Sequence, residues 1–137
     1  MNEMKKSSEN TISIAPFDRL LGIEILSQKD GHAILSLQYR DELTNPYGSL
    51  HGGVLMSLAD SAMAVAVYSK YPHHIFYTVK TEIRFRSSVK SGVLSAEAWL
   101  LGQKRNFIHG KVEIKTESHQ LVAEVKSIFC LTGKNNE

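Results

Sequence analysis

Asn45-Pro-Tyr-Gly-Ser-Leu-His-Gly-Gly-Val-Leu-Met-Ser-Leu-Ala-Asp60 decides how this chain is read. Pro46, Gly48 and the Gly52-Gly53 pair mark a turn-forming segment. It runs straight into the longest apolar stretch, Val54 to Tyr68, with no Gly or Pro before Pro72. An unbroken run of this length, rich in Ala, Leu and Met, predicts a helix and not a strand. The run is apolar almost all round, as in a helix buried on most sides. Its polar residues fall on one stripe: Ser57, Asp60 and Ser61 stand at i, i+3 and i+4.

Two plain readings of this helix compete with a functional one. It could span a membrane, but only about 16 residues precede Ser69, short of the roughly 20 that a bilayer needs. Asp60 near its centre adds a further cost of about 2.5–3.5 kcal/mol. It could equally be a core helix whose Asp60 is satisfied by hydrogen bonds. The glycines favour function. Backbone N–H groups of Gly52 and Gly53 at a positive helix N-terminus suit an anion or a polarised carbonyl oxygen. An oxyanion site and a carboxylate on one element are two parts of an acyl-transfer centre.

Composition narrows the setting. The 137 residues suit one domain with a substantial core. A net charge of +2, with no basic run longer than two residues, gives no reason to expect nucleic acid. Cys130 is the only cysteine, which excludes an intrachain disulfide, and its place in Ile128-Phe-Cys-Leu131 suggests inert core. Met1 to Asn10 is polar and lacks the apolar region of a signal peptide, so the cytoplasm is the expected location. That segment and Gly133 to Glu137 are expected to be mobile ends.

Along the chain, Pro16-Phe-Asp-Arg-Leu-Leu21 predicts a short helix stopped by Gly22. Ile23–Ser27 and a strand from His32 to Tyr39, with Ala33, Leu35, Leu37 and Tyr39 on one face, form a hairpin through Lys29-Asp30-Gly31. After the helix, Ile75–Phe85 alternates, with Ile75, Tyr77, Val79, Thr81, Ile83 and Phe85 on one face. Phe76, Thr78, Lys80, Glu82 and Arg84 take the other. Val93–Leu101, a loop at Gly102–Asn106, Phe107–Thr116 and Leu121–Leu131 complete the pattern. An antiparallel sheet around one apolar helix, an α+β fold, satisfies all of it.

The run Asn45-x-x-Gly48-x-x-His51-Gly52-Gly53 followed by Leu58-Ala59-Asp60 resembles the acyl-CoA thioesterases of the hot-dog fold, nearest to the phenylacetate-pathway (PaaI-type) subgroup. The likeness covers roughly residues 16–132. It implies a sheet wrapped around the central helix, and homodimers that join their sheets and pair again into tetramers. Residue by residue, it implies Asp60 as general base or nucleophile and Gly52 as the N–H donor to the thioester carbonyl. Asn45 would orient substrate or water, Thr78 would hold the attacking water, and His51 would brace the loop. The family often has a proline where this chain has Arg86-Ser-Ser-Val-Lys90, so the course of that loop is open. No cofactor is implied: coenzyme A enters as part of the substrate.

The chemistry agrees. Thioester hydrolysis builds negative charge on the carbonyl oxygen, which helix N-terminal N–H groups stabilise. A carboxylate in apolar surroundings is a stronger base than one in water. Further candidates for substrate contact are Gly53, Ser61 and Tyr47, with Arg84, Arg86 and Lys90 for the coenzyme A phosphates. Each has a plainer reading as packing or solvated surface. The histidines show no metal-ligand spacing beyond His73-His74 in a loop. Gly52 and Asp60 lie eight residues apart, roughly 12 Å along a helix. The two groups must meet at one carbon, so two copies of the helix related by a twofold axis would share two sites. A non-catalytic acyl-CoA sensor and a dehydratase or hydratase on the same scaffold are the rivals.

Overall fold

The computed structural model describes residues 11–134; the segment 1–10 and the residues beyond 134 lie outside it. Helix α1 spans Pro16–Leu21, and the long helix α2 spans Gly52–Lys70. The strands are β1 (Ile23–Lys29), β2 (His32–Gln38), β3 (His74–Phe85), β4 (Val93–Lys104), β5 (Phe107–Thr116) and β6 (Leu121–Lys134). They form one antiparallel sheet in the order β1-β2-β4-β5-β6-β3. The sheet curls round α2, the hot-dog arrangement expected from the element order.

Alternation puts Ala33, Leu35 and Leu37 of β2, Leu94, Ala96 and Ala98 of β4, and Val112 and Ile114 of β5 beneath the helix, all fully buried. Leu58, Ala59, Ala62, Met63, Ala66 and Val67 of α2 meet them. Small residues at the centre of the sheet let the helix lie close. Gly110 is the tightest point: a Cβ there would overlap the Met63 thioether and stand 2.8 Å from the Trp99 carbonyl oxygen. At 19 residues and a mean hydropathy of 1.3, α2 is longer than expected and apolar enough to cross a bilayer, but 61% of it is buried inside the fold.

The β1–β2 turn is tighter than a single glycine would make it. Lys29 pairs with His32, and both Asp30 (φ 49°) and Gly31 (φ 86°) are left-handed, the geometry that matches hairpin twist. The loop expected at Gly102–Asn106 shrinks to Arg105-Asn106, because β4 continues to Lys104 past a bulge at Leu101. Gly133 and Lys134, expected to be mobile, prolong β6. Cys130 is not in the core. Phe129 and Leu131 take the inward positions, so Cys130 is half-buried on the outer face.

The main correction concerns β3. Thr78 pairs with Phe129 and Lys80 with Ile128, leaving Val79 as a bulge. The extra residue breaks strict alternation. Phe76 and Thr78 therefore share the helix-facing side with Thr81, Ile83 and Phe85, while Ile75, Tyr77 and Val79 face out.

Candidate active site

The Gly-rich segment ends in a well-defined helix start. His51 is the N-cap of α2, and its Nδ1 accepts the Gly53 N–H at 2.8 Å. That bond leaves the ring proton of the neutral imidazole on Nε2. The Val54 and Leu55 N–H groups turn back to the His51 carbonyl at 2.9 and 3.4 Å. Two free glycine N–H groups were expected, but the cap consumes that of Gly53. Gly52, the first residue of the helix, keeps its N–H without an acceptor inside the helix.

Asn45 organises the approach to this point. Its Oδ1 accepts the N–H groups of Tyr47 (2.9 Å) and Ser49 (3.2 Å), closing a turn with Gly48 at φ 84°. The amide nitrogen is left with one long contact to Ser49 Oγ, 3.4 Å. Leu50 then donates to the Val89 carbonyl at 2.8 Å, tying the segment to the loop after β3. That loop, whose course was open, is itself pinned. Arg86 and Ser87 donate their N–H groups to Val122 O, and the Ser87 hydroxyl donates to Leu121 O.

Eight residues into α2, Asp60 meets β3. The Thr78 hydroxyl donates to Asp60 Oδ1 at 2.7 Å, an arrangement that the Val79 bulge makes available. Asp60 is half-buried and Thr78 exposed, so the carboxylate is open to solvent in the isolated chain and not sealed as the sequence suggested. Beside it lies a cavity of about 190 Å³ with Asp60, Ser61 and Asp18 in its wall and apolar sides from Ile25, Ala64 and Val65.

Asp18 was not singled out by sequence reasoning. It sits on α1 with only 8% of its surface exposed, and Ser61 Oγ donates to its Oδ1 at 2.5 Å. Burial pushes its carboxyl above the ordinary value of 3.8; the Ser61 bond opposes this, the nearby Asp60 charge reinforces it, and the Ala15 N–H pulls it back. One signal was available: Asp18 and Leu21 stand three apart on one face of a short helix, and Leu21 has to point inward.

Other candidates lie elsewhere. Tyr47 is 84% exposed at the tip of the turn, away from the cavity. Arg84 and Arg86 point to the outer face of the sheet, where Arg86 Nε donates to Glu124 Oε2 at 2.5 Å. Lys90 is exposed in the loop after β3. The structure thus unites Asp60, Thr78 and Ser61 at one place and Asn45, His51, Gly52 and Gly53 at the other end of the helix segment.

A family model described as the thioesterase superfamily matches residues 47–123. In sequence, the chain is 28% identical over 103 residues to a 1,4-dihydroxy-2-naphthoyl-CoA hydrolase of Listeria monocytogenes, covering 74% of this chain and 84% of that one. Over 52 residues it is 40% identical to the acyl-coenzyme A thioesterase PaaI of Escherichia coli, 38% of this chain and 37% of the other. The structure of that E. coli PaaI protein superposes with a TM-score of 0.82 at 27% identity, covering 87% and 86% of the two chains. A conserved protein of Pseudomonas aeruginosa superposes with a TM-score of 0.84 at 26% identity, over 93% of this chain and all of that one.

Proposed function

We propose that this chain, which belongs to the thioesterase superfamily and is a thioester hydrolase of the PaaI-like hot-dog type, uses Asp60 to drive water onto the carbonyl carbon of an acyl-CoA. The observation that carries the reading is the 2.7 Å bond from Thr78 to Asp60 beside an acyl-sized cavity. A hydroxyl that donates to the carboxylate can accept a hydrogen bond from water. Water is thereby held between the two side chains. As its oxygen bonds to the thioester carbon, Asp60 Oδ2 takes its proton. The charge that grows on the carbonyl oxygen meets a Gly52 N–H. Collapse breaks the C–S bond, and the proton held by Asp60 passes to the departing thiolate. The products are a carboxylic acid and free coenzyme A.

The Gly52 in question belongs to a second copy of the chain. Within one helix the two groups are roughly 12 Å apart, whereas an antiparallel partner helix brings them together. The place for that partner is β3, an edge strand of 12 residues. It shows solvent Ile75, Tyr77, Val79 and Phe85, the last three more than half exposed. Long apolar edges invite pairing. A homodimer with two composite sites follows, and such dimers pair in turn. Arg84, Arg86 and Lys90 lie on exposed surface, away from the Asp60 cavity.

The experiment is direct. A panel of acyl-CoA thioesters is assayed by trapping released coenzyme A with a thiol reagent, for the native protein and for Asp60→Asn and Asp60→Ala. Loss of at least about 10²-fold in turnover with the fold intact is expected. Hydrolysis at near-native rate in both variants would overturn the assignment of this site.

A further inference from the structure

Two carboxyl groups, Asp60 and Asp18, share the wall of the small cavity between α1 and α2, and the hydrolysis just described uses only the first. The Ser61 hydroxyl, next in the chain to Asp60, donates to Asp18 Oδ1 at 2.5 Å. The docking of α1 therefore fixes one acid beside the other. Asp18 is 8% exposed, and a carboxyl buried so far is costly. A purely structural role does not ask for the charge, since an asparagine would accept the same Ser61 bond.

Among the described residues, the rest of the cavity wall holds no other titratable group. On α1 and β1, Arg19 and Glu24 are exposed and outside that wall. On α2 the next charge is Lys70, exposed at the far end of the helix. From β3 the Thr78 hydroxyl reaches Asp60, while Lys80, beyond the bulge, is exposed. In a site shared between two copies, His51 of the partner subunit is the one titratable group added beside Gly52. Like charges in one small space favour the arrival of a proton between them. That tendency grows when an acyl group and a second copy expel water.

We propose that Asp18 is a positioning residue for the hydrolysis: its negative charge, set beside Asp60 by the Ser61 bond, makes Asp60 the stronger base toward the attacking water. The inference rests on the thioesterase reading of Asp60. Asp18 itself neither gives nor takes a proton. The water proton goes to Asp60 and on to the departing thiolate, and the neighbouring charge lowers the cost of the first transfer. Burial and the Asp60 charge push the Asp18 carboxyl above its ordinary value, while the Ser61 and Ala15 donors favour its charged form. The same repulsion between the two acids acts in both directions.

The test is the pH dependence of kcat and kcat/KM from pH 3 to 8 on one good acyl-CoA substrate, for the native protein, Asp18→Asn and Asp18→Glu. In Asp18→Asn the plateau of kcat should fall about two- to fivefold with KM little changed. Its acid limb should move about one pH unit lower, because the remaining carboxylate holds a proton less well without a charged neighbour. Asp18→Glu restores the charge and should return the limb towards the native position. A merely structural role would lower the plateau in both variants and leave the limb where it is. That outcome, or an unchanged profile in Asp18→Asn, overturns the proposal. Should the native protein cleave no thioester, the thioesterase reading fails by itself, and carbon NMR of the side-chain carboxyls reads the pairing directly. The Asp18 midpoint should fall in Asp60→Asn; a midpoint that stays in place ends the proposal. This measurement also serves if the Asp18 variants do not fold.

Discussion

Thr78 reaches Asp60 from a strand that follows the helix, and the 2.7 Å bond exists because Val79 interrupts the alternation of β3. The hydroxyl faces the carboxylate, while Tyr77 and Val79 face away. Thr78→Ala should lower kcat about tenfold, because a second water can replace the hydroxyl in part. Thr78→Ser should be mild. A collapse in the serine variant, which keeps the hydroxyl, would point to packing by the methyl group. Steady-state kinetics on one good substrate decides.

Sharing of the site between chains is tested by mixing. In the proposed homodimer, Asn45→Ala and Asp60→Ala should each damage both sites. In a mixed dimer, one site carries both lesions and the other neither. Random reassembly makes about half the dimers mixed, so refolding the two variants together should restore roughly a quarter of native activity. The Asn45 variant must be inactive alone. Its amide closes the turn that leads to Gly52, so its effect is expected through the position of that N–H. Mixed dimers seen by mass spectrometry without recovery would place all the groups within one chain.

Stability offers a separate check on the helix–sheet packing. Gly110→Ala puts a methyl group into the Met63 thioether and within 2.8 Å of the Trp99 carbonyl oxygen. Overpacking of this kind costs about 1–3 kcal/mol. Urea unfolding should show that loss. Measured in a Met63→Ala background, the loss due to Gly110→Ala should be smaller but not absent, since the thioether is then gone and the backbone oxygen is not.

Acid dependence of stability follows from Asp18. Its carboxyl is held above 3.8 in the folded state, chiefly by burial. The folded protein therefore binds this proton more tightly than the unfolded chain does. The resulting stabilisation is complete below pH 3.8 and is lost as pH rises from there through the folded-state value. Asp18→Asn cannot titrate. Relative to that variant, the native protein should lose stability across this window and remain level above it. Paired thermal melts from pH 3 to 8 measure the difference, and a gap that widens in favour of the native protein with rising pH would contradict the direction.

The helix and the succession of strands along the chain were legible because each depends on a period that residues display one by one. The order in the sheet was not, since β3 pairs with β6 and not with β4, its successor in the chain. The run Val54–Tyr68 has no competing signal, and the Asp30-Gly31 turn carries the residues it needs. The bulges at Leu26, Val79 and Leu101 were not legible. A bulge adds a residue without a chemical mark, and so the facing of Thr78 was misjudged even though Thr78 itself was named. Cys130 was misplaced for a related reason: an apolar run in a strand still alternates. Asp60, His51 and Gly52 stood out through spacing and resemblance. Asp18 did not, since its meaning lies in the docking of α1 on α2, a contact between segments 43 residues apart at the Ser61 bond.

The position of β3 has a consequence for how the protein is made. Among the described strands, β3 pairs with β6, and the Thr132 hydroxyl adds a bond to the Ile75 carbonyl, 57 residues away in the chain. Asp60 and Thr78 are only 18 residues apart, close enough to leave the ribosome almost together. Until β6 has emerged, however, the strand that carries Thr78 has no neighbour to hold its bulge in register. Non-local pairings of this kind close late in folding. The two residues are near in the chain, but their geometry is complete only when the C-terminal strand has paired.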